Sequence, residues 1–277
     1  MTVVDRMRRL VARVGRRAAR ARRTILLRRT EHGRFGMQVL AGHPGAESLP
    51  VVMALWSRPE RATGILAELA AQEGTPPIRL CWWNNAPGND AAYRSAVDAL
   101  SRTGAIASVE YRSSRVNIGG LARFLVIRRL RRQGYAGPVV LLDDDQVIGA
   151  DFLARLAARF APRSARGVYA FRQHGSYWSR EAIEDGDAAS YVGTGGCIVD
   201  AAIVDDPDFF SALPDRYRFI EDQWMSFRAR ARGWDLEKAD VPFEFVLDER
   251  NQYHGLIERK DEFFAYLYNS RPDLRPM

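Results

Sequence analysis

Pro138-Val139-Val140-Leu141-Leu142-Asp143-Asp144-Asp145 is the stretch on which the fold turns, because an apolar run passes directly into three carboxylates. A short apolar run with polar flanks has the pattern of a strand covered on both faces, as in a parallel sheet between helices. Three adjacent carboxylates repel one another. At a strand's carboxyl end a natural compensation is a hard divalent cation, held through one or two of them plus a substrate phosphate. A merely solvated acidic turn is the competing reading, and the strand context argues against it.

Upstream, short apolar runs alternate with helical periodicity. Leu49 to Trp56, Ile78 to Trp83 and Ile106 to Tyr111 are predicted as strands. Glu60 to Gln72, Asp90 to Ser101 and Gly119 to Arg132 are predicted as helices. This order implies an α/β fold with a mostly parallel central sheet and helices on both faces. In such sheets ligands bind outside the carboxyl ends of the strands, so the residues that follow each strand are the ones to inspect. Downstream of Asp145 the alternation weakens. Phe171 to Val192 reads as loop-rich, Gly193 to Gly196 as a small-residue run, and Phe219 to Ala231 as a helix. With no linker and no solenoid repeat, one two-lobed domain over 35–277 is expected, divided into halves at 49–145 and 146–277.

The net charge of +7 is unevenly placed. Residues 1–34 hold twelve arginines against Asp5 and Glu31, a balance of +10, so the remaining 243 residues carry −3. Met7, Leu10, Val11, Val14, Ala18, Ala21 and Ile25 recur at helical spacing between those arginines, which predicts a basic amphipathic helix. An anionic membrane surface suits its stripe and its charge, through residues 6–29; packing on the body or on a second subunit is the alternative, and the lack of interleaved aromatics disfavours nucleic acid. Cys81 and Cys197 sit far apart in apolar stretches and read as reduced core residues. No run approaches the ~18 apolar residues of a membrane span, and the arginine-dense start lacks the apolar block of a signal peptide. A cytoplasmic location is expected, peripheral at the inner face of the membrane if the arm binds lipid.

The strand followed by Asp143-Asp144-Asp145 resembles the DxD motif of GT-A glycosyltransferases, and other segments resemble that fold in the same order. They are Leu55-Trp56-Ser57-Arg58-Pro59-Glu60 after the first strand, Trp83-Asn84-Asn85 after the second, and Asn117-Ile118-Gly119-Gly120-Leu121-Ala122-Arg123 opening the helix before the DxD strand. Gly193-Thr194-Gly195-Gly196-Cys197 resembles the acceptor-side strand, and Ile220-Glu221-Asp222 the acidic motif of the later helix. The resemblance spans about Leu49 to His254. It implies a Rossmann-like GT-A fold and sugar transfer from a nucleotide-diphosphate sugar, a UDP-sugar favoured, to a glycan, lipid-linked or small-molecule acceptor. Cell-surface polysaccharide or glycoconjugate synthesis would be its setting.

The resemblance also implies roles. Asp143 and Asp145 would hold Mn²⁺ or Mg²⁺, with His254 as a third ligand, and Asp144 would face the donor sugar or ribose. Asp222 would be the general base, with Glu221 as the fallback. Ser57, Arg58, Asn85 and Asn117 would contact the nucleotide, and Arg123 and Lys260 would neutralise phosphate. Gly195, Gly196, Trp178 and Trp224 would lie on the acceptor side.

Two departures limit the resemblance. Asn84-Asn85 stands where many inverting relatives carry an acidic residue, and the Gln-x-x-Arg-Trp signature of processive synthases is absent after Trp224, so single additions are expected. Inversion is favoured over an exostosin-like retaining reaction, which also uses a triple aspartate. A sugar-phosphate nucleotidyltransferase would show a glycine-rich loop after the first strand, where this chain has Trp56-Ser57-Arg58-Pro59. A non-catalytic membrane-surface module would have no use for the carboxylates and His254 together.

Overall fold

The computed structural model describes residues 30–100, 103–246 and 256–276. The expected arm helix within 1–29, and His254 with its loop, lie outside these residues. Thr30 and Glu31, the last turn before Gly33, sit on the body, where the Glu31 carboxylate meets Arg218 at 3.3 Å.

The chain enters through an edge strand β1 (Gln38–Gly42) and then builds three parallel strands, β2 (Leu49–Leu55), β3 (Ile78–Asn84) and β4 (Ile106–Ser113). Helices α1 (Ala62–Ala70) and α2 (Asp90–Asp98) join these three strands, and α3 (Leu121–Arg132) carries the chain back to β5 (Pro138–Leu142). β5 pairs with β2 on the side opposite β3, in register Val51 with Val140 and Met53 with Leu142. The strand order therefore reverses at β2, and the crevice at the carboxyl ends of β2 and β5 is the topological switch point where ligands bind in open α/β sheets.

Beyond β5 come β6 (Gln146–Ile148), α4 (Phe152–Ala157), β7 (Ser164–Gly167), β8 (Ala170–His174), β9 (Ser176–Ala182), β10 (Tyr191–Val192) and β11 (Cys197–Asp200). α5 (Glu221–Ala231), β12 (Asp235–Lys238), β13 (Phe243–Phe245) and α6 (Ile257–Ser270) complete the chain. The eight-stranded sheet has the order β1-β4-β3-β2-β5-β11-β7-β12. Only β1 and β11 oppose the common direction.

Alternate residues of the central strands serve two cores. Val52, Cys81, Leu141 and Val199 pack with α3, α5 and α6 on one face, and Met53, Trp82, Val140 and Ile198 pack with α1, α2 and α4 on the other. Burial on both faces explains why these strands read as continuous apolar runs.

The region 171–192, expected to be loop-rich, instead forms most of a three-stranded antiparallel sheet, β10-β8-β9, folded about Gly175 at φ +72°. β9 is half-buried or exposed, with Tyr177 its one buried residue, and β10 has only two residues, so no apolar run announced them. Gly193 to Gly196 is a turn rather than a strand, and β11 begins at Cys197.

Candidate active site

A cavity of about 380 Å³ opens at the switch point. The first half of the chain lines it with Trp56, Ser57, Arg58, Asn85, Gly119, Gly120, Arg123 and Asp143 to Asp145, and the second with Gly193 to Gly195, Tyr169, Tyr191, Glu221, Asp222 and Lys260. The expected metal-binding carboxylates and the expected base thus face one space, although they are nearly eighty residues apart in sequence.

The three aspartates have different surroundings. Asp144 is buried, and its carboxylate accepts from the Trp56 amide and from Arg58 Nη1, each at 3.3 Å. Besides lining the cleft, it ties the end of β5 to the turn after β2, and Arg61 adds to the tie by donating to the Asp144 carbonyl at 2.9 Å. Burial raises the Asp144 pKa against the pull of Arg58, and burial likewise raises that of Asp145. Asp143 receives its backbone order from Gln146, whose side-chain oxygen accepts from the Asp143 amide at 3.0 Å.

Asp143 also forms an ion pair with Arg123. Arg123 rises from α3, is 5% exposed, and reaches Thr194 Oγ1 at 2.9 Å and Glu221 Oε1 at 3.0 Å. Expected to neutralise phosphate, it here bridges the two acidic groups of the cleft. Two glycines make room for this. A Cβ on Gly120 would lie 1.6 Å from Glu221 Oε1, and one on Gly195 would lie 2.4 Å from Asp143 Oδ2. Burial pushes the Glu221 carboxyl up while Arg123 pulls it down.

Asp222 opens α5, where its Oδ1 accepts from the Gln223 amide at 2.7 Å, as a carboxylate in the first turn of a helix does. Its Oδ2 accepts from the Tyr191 hydroxyl at 2.5 Å and lies 3.8 Å from Lys260 Nζ. Lys260 is 8% exposed and also donates to Tyr177 Oη at 3.1 Å. Burial works against its ammonium, but the Asp222 charge and Tyr177 outweigh burial and hold its pKa above the usual lysine value. Lys260, expected on the donor phosphate, is placed beside Asp222.

The other expected residues divide. Asn85 lines the cleft and clamps its floor: its amide donates to the Gly119 carbonyl at 3.2 Å, and its oxygen accepts from the Ile118 amide at 3.1 Å. Asn117 shapes the same turn by accepting from the Gly119 amide at 2.8 Å, without lining the cavity. Gly196, at φ +71°, is a turn residue packed near Val168. Trp178 lies against Tyr177 and Arg180, away from the cavity. Trp224 is in the core, 3% exposed, donating to the Phe209 carbonyl at 2.6 Å. It is two residues from Asp222, and about 200° of helical rotation turns it to the other side. Sequence reading does not single out Tyr191 or Tyr177 within the segments 173–178 and 186–191, from which it expects residues that choose the donor sugar, because their part in the site depends on strands it does not find.

Asp143 and Asp145 both line the cavity, and their hard oxygens suit Mg²⁺ or Mn²⁺, whose charge would offset the desolvation of Asp145. Among the described residues no group of three His, Cys, Asp or Glu side chains is placed to hold a metal ion. No described helix is long and apolar enough to cross a membrane.

No family model and no curated protein matches the chain. Solved structures do. S. aureus TarS in complex with UDP-GlcNAc matches with a TM-score of 0.54 and 14% identity, over 80% of this chain and 66% of that one. The mannosyltransferase PcManGT from Pyrobaculum calidifontis, in complex with GDP-Man and Mn²⁺, matches at 0.58 and 13%, over 82% and 67%. GalNAc-T7 with UDP, GalNAc and Mn²⁺ matches at 0.50 and 12%, over 83% and 51%. The chain has the GT-A fold of these glycosyltransferases. It spans about two thirds of the length of the first two and half of the third.

Proposed function

We propose that this chain is a glycosyltransferase that moves a sugar from a nucleotide-diphosphate donor to an acceptor hydroxyl with inversion. The observation that carries the reading is the convergence of Asp143, Asp145 and Asp222 on one cavity at the switch point of the sheet. The GT-A fold and the nucleotide sugars and Mn²⁺ in similar structures support it.

Ser57, Arg58 and Asn85 line the half of the cleft that would take the nucleotide. Asp143 and Asp145, with His254, would hold Mn²⁺ or Mg²⁺, which when bound stabilises charge on the leaving diphosphate. Asp222 takes the proton of the acceptor hydroxyl as the acceptor oxygen bonds to the anomeric carbon. The bond from that carbon to the diphosphate oxygen breaks, and its electron pair leaves with the diphosphate. Glu221, neutralised by Arg123, is the weaker candidate for the base. The arginine-rich arm would bring the catalytic body to an anionic membrane surface.

A thermal-shift screen of UDP-GlcNAc, UDP-galactose, UDP-glucose and GDP-mannose, with and without Mn²⁺, tests the reading. A bound donor at a hundred times its Kd stabilises the native state by about 2.7 kcal/mol. At least one donor is expected to raise the melting temperature, and more so with Mn²⁺. No shift with any of them, or pyrophosphate formation from a sugar 1-phosphate and a nucleoside triphosphate, would overturn it.

A further inference from the structure

Asp222 is held by a buried tyrosine and a buried lysine, and a second buried tyrosine packs against both. Lys260 can only donate, and it donates to Tyr177 Oη at 3.1 Å. Ionised Asp222 can only accept, and it takes the single hydroxyl proton of Tyr191. Tyr177 in turn packs edge to face on Tyr191, so the ring that carries the Asp222 donor is braced by the residue that Lys260 holds. Asp222 Oδ2 thus has two fixed partners, the Tyr191 hydroxyl and the Lys260 ammonium 3.8 Å away.

We propose that Tyr191 is a positioning residue for the transfer reaction, aiming the Asp222 carboxylate at the acceptor together with Lys260. The proposal rests on Asp222 being the base. With Oδ2 engaged by Tyr191 and Lys260, and Oδ1 bonded to the Gln223 amide, the carboxylate cannot rotate, and the remaining lone pair of Oδ1 is left for the acceptor hydroxyl. Tyr177 and Tyr191 are 0% and 2% exposed, and the two rings meet edge to face with centroids 5.6 Å apart, so packing fixes both hydroxyls. Burial and the Asp222 charge raise both phenol pKa values, which keeps the hydroxyls protonated as donors. The other charged groups near Asp222 are Glu221 on its own helix and, behind it, Arg123 from α3; Tyr169 faces Lys260. The first two compensate each other at 3.0 Å.

Three variants of the full chain decide the matter. Turnover is read as nucleoside diphosphate released from the donor that gives the largest thermal shift, and binding is read with UDP and Mn²⁺. Tyr191→Phe is expected to keep UDP affinity and the donor KM while lowering kcat roughly 10- to 100-fold, because the carboxylate has lost the contact that aims it. Tyr177→Phe should act in the same direction and more weakly, since Lys260 still faces Asp222 directly. Asp222→Asn supplies the reference. If it is nearly inactive while Tyr191→Phe has wild-type kcat, the positioning role is overturned and the base stands. If Asp222→Asn turns over normally, the base assignment falls and the positioning role with it. Loss of UDP affinity in Tyr191→Phe would place that hydroxyl in the donor pocket and also overturn the proposal.

Discussion

Gly195 and Gly196 are neighbours with opposite reasons to lack a side chain. Gly196 sits at φ +71°, where any other residue strains the backbone. Gly195 has an ordinary φ, and its constraint is Asp143 Oδ2 at 2.4 Å from where a Cβ would be. Gly195→Ala should therefore leave the thermal midpoint almost unchanged while displacing Asp143, and calorimetric titration should show weaker Mn²⁺-supported UDP binding. Asp145→Ala should abolish that support outright with the fold intact, because Asp145 supplies an oxygen and little packing; unchanged affinity would remove it from the metal site. Asp222→Asn should leave donor binding alone and reduce turnover by ~10²–10⁴, the usual worth of general-base help. Near-normal turnover would reduce Asp222 to a residue that serves the end of its helix.

At the scale of elements, the helix α3 that delivers Arg123 is tied to the sheet by Glu110 on β4. Glu110 is 1% exposed and pairs with Arg79 on β3 at 2.5 Å and with Arg129 on α3 at 2.9 Å. Removing a buried carboxylate leaves two guanidinium groups without their counter-charge, so Glu110→Ala should cost about 3 kcal/mol in urea unfolding. A cost under 1 kcal/mol would mean that water replaces the carboxylate. Legibility in the sequence follows the same elements. β2, β3 and β5 are covered on both faces, so their residues could hardly be other than apolar, and the carboxylates at the end of β5 stood out against them. β9 is half-buried or exposed apart from Tyr177 and β10 has only two residues, and nothing local marks Tyr177 or Tyr191 as belonging to the surroundings of Asp222. Proximity in sequence misled in the other direction for Trp224, because a helix sends residues two positions apart to opposite sides.

For the whole molecule, charge is the first test. Deleting residues 1–29 removes eleven of the arginines and keeps Thr30 and Glu31 on the body. The truncated chain should turn over a soluble acceptor at nearly the parental rate and sediment less with phosphatidylserine vesicles, the difference being greatest at low salt. Equal sedimentation of the two would take the membrane out of the arm's role. The double-sided sheet has a different consequence. The two apolar cores touch opposite faces of β2, β3, β5 and β11. No partial opening of one layer can bring these backbones to water, since the other layer still covers them. In deuterium oxide, the amides of Val52, Leu80 and Leu141 should exchange last and all at one rate, reporting the unfolding of the entire domain, while β9 and β13 exchange early.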